Sequence, residues 1–138
     1  MLAMIGESRE YYSQKFMEMR RDNNIPTWNW AAFLAGPFWL FYRKMYIIGG
    51  GALLLGVILS LINSAFTYML FAGIFVALGI LGNYLYMDHL ERELKKANSE
   101  VEPARSAHIG QYTGVNMPAA VLSGVGYFAF LILILAMV

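Results

Sequence analysis

Three stretches of this chain run for eighteen residues or more without an Asp, Glu, Lys, Arg or His: Met45 to Ile62, Ala65 to Met87 and Pro118 to Val138. A hydrocarbon core about 30 Å thick takes around 20 helical residues to cross, so each stretch reads as a transmembrane helix. Composition agrees: 59% of residues are hydrophobic and 14% charged, against roughly 45–50% and about 25% in soluble domains. The expected fold is an all-α membrane protein, a single membrane domain over residues 1–138. "NSAFT", between the first two spans (45–62 and 65–87), is short enough for a helical hairpin, and Asn and Ser can satisfy local backbone groups in such a turn.

Cation placement orients the spans. Arg9, Lys15, Arg20, Arg21, Arg43 and Lys44 precede the first, Arg92, Lys95, Lys96 and Arg105 lie between the second and third, and "NSAFT" has none. All ten fall on one side if the chain runs in, out, in, out, and the positive-inside bias makes that side cytoplasmic. The expected address is the inner, cytoplasmic membrane, with the N-terminus inside and the C-terminus outside. Tyr42, Tyr46, Tyr84 and Tyr86 would form an aromatic belt. "MLAMIGESRE" is too short an apolar run for a cleaved leader, so none is expected. Ten basic against nine acidic residues give no excess of the kind that nucleic acid attracts.

Two polar stretches flank the spans. "ESREYYSQKFMEMRR" sets Tyr12, Phe16 and Met19 at i, i+4 and i+7, which predicts an amphipathic cytoplasmic helix over 7–22. Residues 88–117 read as a cytoplasmic extension of the second span followed by a loop. In the extension Leu90, Leu94 and Ala97 share a stripe and Glu91 and Lys95 are i,i+4, and the whole is expected to be solvated. In the loop Pro103, Gly110 and Gly114 act as breakers.

The segment 28–44, within "WNWAAFLAGPFWLFYRKM", is apolar but short. Trp28 to Tyr42 would span only about 22 Å as a helix, and crossing would carry Arg43 and Lys44 to the wrong side. It is therefore expected to lie in the cytoplasmic interface or to be re-entrant, with a bend at Gly36-Pro37. A second helix would then run from Phe38 into the first span. Trp28, Trp30, Trp39 and Tyr42 would contact headgroups and Arg43 and Lys44 snorkel to phosphates.

"NWAAFLAGPFWLFYRKMY", preceded by "YYSQKF" and followed by "GNYLYMDHLERELKK", resembles the bacterial small membrane proteins of the domain of unknown function 2628 family. The resemblance is strong from Tyr11 to about Lys96 and looser through "GQYTGVN" and the last apolar stretch. It implies a membrane fold and address and no activity. Some relatives carry an N-terminal zinc ribbon; this chain has no cysteine, so that feature does not transfer.

Candidate chemistry is sparse. His89 and Glu93 are i,i+4 beside Asp88, a weak metal constellation, since a site usually needs three or four ligands. No metal, cofactor or catalytic residue is expected. Intramembrane acids and bases, the usual mark of an ion pathway, are missing from the three stretches; Ser60, Asn63, Asn83 and Ser123 offer polarity near the spans. Small residues recur at i+4: Ala52, Gly56 and Ser60; Gly73 and Ala77; Ala120 and Gly124. Such faces let helices approach closely, within one chain or between chains. The reading that follows is a non-enzymatic structural or accessory subunit in the lipid bilayer, partnered by a second copy or a larger membrane complex. Two alternatives are an oligomeric channel or transport component and, more remotely, a metal-dependent membrane enzyme using Asp88, His89 and Glu93. A reporter that works only in the cytoplasm, fused after Val138, should be silent; activity there would overturn the topology.

Overall fold

In the computed structural model, which describes residues 9–22, 27–62, 65–112 and 114–137, every regular element is a helix. In chain order they are α1 (Arg9–Asp22), α2 (Trp30–Ala35), α3 (Pro37–Tyr42), α4 (Tyr46–Ser60), α5 (Ala65–Asn98), α6 (Ala104–Tyr112) and α7 (Met117–Met137). Residues 7–8 of the expected first helix, and Asn63 and Ser64 of the hairpin turn, lie outside the described residues. The helices belong to two compact units. The polar unit comprises Met1–Asn29 and Ile80–Val115, the apolar unit Trp30–Gly79 and Asn116–Val138.

In the polar unit α1 buries Tyr12, Phe16 and Met19, the face its spacing predicts. On α5 the buried residues Asn83, Tyr86, Leu90, Glu93 and Ala97 are spaced alternately three and four apart, so they form a seam on one helix face. The Tyr12 and Phe16 rings lie 4.9 and 6.2 Å from that of Tyr86, and Arg20 pairs with Glu91 across the helices. Three sequence expectations are corrected in this unit. The continuation past Met87 is not uniformly solvated, because Leu90, Glu93 and Ala97 are buried; Tyr86 packs on α1 and belongs to no surface belt. The loop expected within 88–117 contains α6. Pro103 sits just before that helix, where its missing amide hydrogen breaks no helical bond, and its carbonyl accepts from the Ala107 amide at 3.1 Å.

In the apolar unit α3 packs against both α4 and α7, with the Phe38 ring 6.0 and 6.1 Å from Tyr127 and Phe128. The chain bends at Gly36, as the Gly-Pro pair predicts. Gly36 has φ +54° and ψ −134°, a region open almost only to glycine, and its carbonyl accepts from the Trp39 amide to start α3. The expected continuous helix from Phe38 into the first span does not form. α3 stops at Tyr42, and Lys44 adopts φ +61°. The Lys44 amide donates to the Phe41 carbonyl at 3.1 Å and the Met45 amide to Leu40 at 2.8 Å. This pair of bonds defines a Schellman ending, with lysine where glycine usually stands.

Asn116 anchors the start of α7 to that turn. Its backbone amide donates to the Tyr42 carbonyl and its Nδ2 to the Tyr46 hydroxyl, both at 2.8 Å. Its Oδ1 accepts from the Ala119 amide at 3.0 Å, an N-cap contact. Among the described residues α5 alone is long and apolar enough to cross a membrane as one helix. At 15 residues, α4 is about 22 Å long, short of the hydrocarbon thickness.

Gly36→Ala should test the bend. A Cβ there would stand 2.5 Å from the Phe75 ring as well as forcing an unfavourable backbone region, so a loss of about 2 kcal/mol or more is expected in detergent unfolding. A variant as stable as the parent would show that the bend is not fixed by this contact.

Candidate functional site

The buried polar groups of the polar unit form two connected sets. The first surrounds Asn83, whose side chain is fully buried. Its Nδ2 donates to the Thr27 hydroxyl at 3.0 Å and carbonyl at 3.2 Å, and its Oδ1 accepts from Asn29 Nδ2 at 2.8 Å. The Tyr11 hydroxyl donates to the Trp28 carbonyl at 3.4 Å. Each bond satisfies a group that would otherwise lose water without replacement. This set ties the segment after α1 to α5. Asn29 is 1% exposed while its neighbours Trp28 and Trp30 are 37% and 65% exposed, so the asparagine of "WNW" is the inward residue. Sequence reasoning noted Asn83 but neither Thr27 nor Asn29; the signal was a lone amide between two tryptophans.

The second set holds α6 to α5. Glu93, 5% exposed, receives Lys96 Nζ on Oε1 at 2.8 Å and faces His108 Nε2 through Oε2 at 3.0 Å. His108 Nδ1 lies 3.3 Å from Glu100 Oε1. Burial pushes the Glu93 carboxyl up, but the hydrogen bonds from Lys96 and His108 outweigh it and hold the group below its ordinary value. His89 lies below the usual imidazole range, because burial disfavours its charged form more than the nearby Glu93 favours it. Hydrogen bonding to Glu93 raises Lys96. The weak metal constellation does not assemble. Asp88 pairs with Arg92, Glu93 with Lys96 and His108, and His89 faces the Tyr112 ring at 5.8 Å. Among the described residues no group of three or more His, Asp or Glu could hold a metal ion.

The residues expected at the lipid interface divide. Trp28 and Trp30 are exposed and Tyr42 and Lys44 half-buried, but Trp39 and Arg43 are 3% and 5% exposed. The Arg43 guanidinium lies 5.2 Å from the Tyr42 ring centroid, within cation–π range, and so is directed inward.

The small residues also divide. A Cβ on Gly56 would meet Phe71 and the Tyr127 hydroxyl at 3.2 Å, and one on Gly124 would sit 3.9 Å from Phe38, so both face the unit's own interior. Gly73 has open space around it, and Ala77 is exposed. Ala52 and Gly56 line an apolar cavity of about 120 Å³ with Pro37, Phe71 and Tyr127. Ser60 caps back onto the Val57 carbonyl at 2.7 Å, and Ala120 is half-buried.

The arrangement is that of an all-helical protein with one nearly charge-free unit and one polar unit closed by internal hydrogen bonds and ion pairs. The sequence profile of the family described as "Protein of unknown function (DUF2628)" matches residues 6–92, and the chain belongs to that family. No curated protein and no solved structure matches it.

Asn83→Leu keeps the branched four-atom shape but removes the bonds to Asn29 Nδ2 and to the Thr27 hydroxyl. Unfolding of the polar unit should become easier by about 2–3 kcal/mol, read as earlier proteolysis between α1 and α2. Unchanged proteolysis would show the set to be dispensable.

Proposed function

We propose that this chain is a non-enzymatic structural or accessory membrane subunit. Its apolar unit lies in the bilayer, and its polar unit, in the aqueous phase, engages a second copy or a larger inner-membrane complex. The observation that carries this reading is the partition of charge. Of nineteen Asp, Glu, Lys and Arg residues, the apolar unit has two, the adjacent Arg43 and Lys44, and the polar unit has the rest. The apolar unit exposes Ile47, Leu54, Leu61, Phe66, Leu122 and Ile132, side chains suited to acyl chains and costly in water.

On this reading α4, the first part of α5, and α7 are three spans. The shortness of α4 is met by local thinning of the bilayer, and the cation-bearing segments face the cytoplasm. The open face at Gly73 and Ala77 is the contact surface, because close helix approach there needs no rearrangement.

The test compares two substitutions in mild detergent. Gly73→Leu should leave the fold intact and dissociate the assembly recovered from native membranes, whereas Gly56→Leu should destabilise the protein itself. Recovery of the parent as a lone monomer, with nothing co-purifying, would overturn the proposal.

A further inference from the structure

Close-packed interiors leave few voids larger than a water molecule, yet the apolar unit holds two that share a wall. The smaller, of about 120 Å³, is ringed by Phe38, Phe71, Phe75, Tyr127 and Phe128 around the bare Gly56 of α4. The larger, of about 300 Å³, lies where α4 ends and α5 begins and brings in Ser60, Thr67 and Tyr68. Phe71, Tyr127 and Leu131 line both. From Ala52 to Ser60 the two follow about 12 Å of α4, and the exposed Ile62 and Tyr68 stand at the rim of the larger. The result is an elongated cleft with one end at the unit's surface.

Its polarity is graded. Among the described residues that line the smaller cavity only Tyr127 has a polar side chain, whereas the larger adds the hydroxyls of Ser60, Thr67 and Tyr68. No Asp, Glu, Lys, Arg or His is among the described residues of either wall. Ser60 is already committed, since it donates to the Val57 carbonyl at 2.7 Å. Tyr127 is different. It is 8% exposed, its ring packs on Phe38 and Phe128, and its hydroxyl makes no hydrogen bond among the described residues. A buried tyrosine hydroxyl ordinarily has a partner. This one lies 3.2 Å from where a Cβ on Gly56 would stand, one turn of α4 from Ser60.

The walls define the occupant. Small-molecule sites are mostly apolar with a few placed polar groups, and an apolar cavity of about 150 Å³ takes up benzene. A charged group would find no counter-ion in this cleft, but a hydrocarbon chain with one acceptor near its end matches both the walls and the unused donor. The inference rests on the reading of the apolar unit as bilayer-embedded. On that reading the hydroxyl-bearing end, by the start of α5, lies near the membrane surface and the aromatic end deeper, the order in which a glycerolipid sets its ester and its chain. We propose that the cleft binds one acyl chain of a glycerolipid, whose ester carbonyl accepts a hydrogen bond from the Tyr127 hydroxyl.

Native mass spectrometry of the full chain in detergent reads the site when the protein is titrated with dioleoylphosphatidylcholine and with its diether analogue, which lacks only the carbonyls. The parent should take up one diester molecule saturably, about fivefold more tightly than the diether. Tyr127→Phe should bring the diester down to the diether's affinity without lowering the unfolding midpoint, because the hydroxyl has no bond within the chain to lose. Dioleoylglycerol should bind much as the phospholipid does; a preference of about tenfold or more for the phosphocholine form would place recognition at the headgroup and overturn the proposal. Equal uptake of diester and diether, an ester preference that survives in Tyr127→Phe, or earlier unfolding of that variant would each overturn it as well. Bound lipid is counted on the single chain, so its absence would leave the assembly reading standing, and loss of the assembly would leave the lipid result standing.

Discussion

A helix that ends in apolar surroundings leaves amides and carbonyls that water does not reach, and unsatisfied groups there cost far more than at a wet surface. The apolar unit breaks its helical path twice within ten residues, at Gly36 and at Lys44, and each break carries its own hydrogen bonds. At the second, Schellman bonds close α3, and Asn116 takes up the Tyr42 carbonyl while capping α7. One asparagine thus serves two helix ends, and α7 starts where it does because α3 stops where it does. The packing of Phe38 on Tyr127 and Phe128 follows from that placement.

The polar unit solves a related problem with side chains. Its α5 seam alternates apolar residues with Asn83 and Glu93, and each polar member is met by a specific partner from another segment. Apolar seams hold helices together in several registers; an amide or carboxylate with fixed partners selects one. The Asn29–Asn83 bond and the Glu93–His108 contact lie ten residues apart on α5 and locate the chain before α2 and helix α6 respectively.

Much of this was legible in sequence because it depends on periodicity and on residues with one strong preference. The spacing of Tyr12, Phe16 and Met19 indicated the buried face of α1, and Gly36-Pro37 marked the first bend through the geometry of those two residues alone. The second bend was not legible, since its left-handed position holds lysine and nothing local distinguishes that residue from a helical one. α6 was hidden behind Pro103 and Gly110, breakers inside a helix but harmless before its start and near its end. Trp39 and Arg43 look interfacial by type, yet burial is decided by α3's neighbours, which composition does not name. The partners of Asn83 are more than fifty residues away in sequence, and no local pattern announces them.

Lysine at the end of α3 has a consequence beyond the turn it makes. Glycine would allow the same backbone path with less strain and would leave no charge. With lysine, the ammonium is set at the carbonyl end of a helix, where the peptide dipoles favour a cation, and its depth is governed by a hydrogen-bonded turn rather than by a flexible tail. Arg43 beside it is turned inward, so of two neighbouring cations in the apolar unit one is held in the fold and the other marks a fixed height on it. On the proposed bilayer reading, that fixed height would mark the boundary between oil and water.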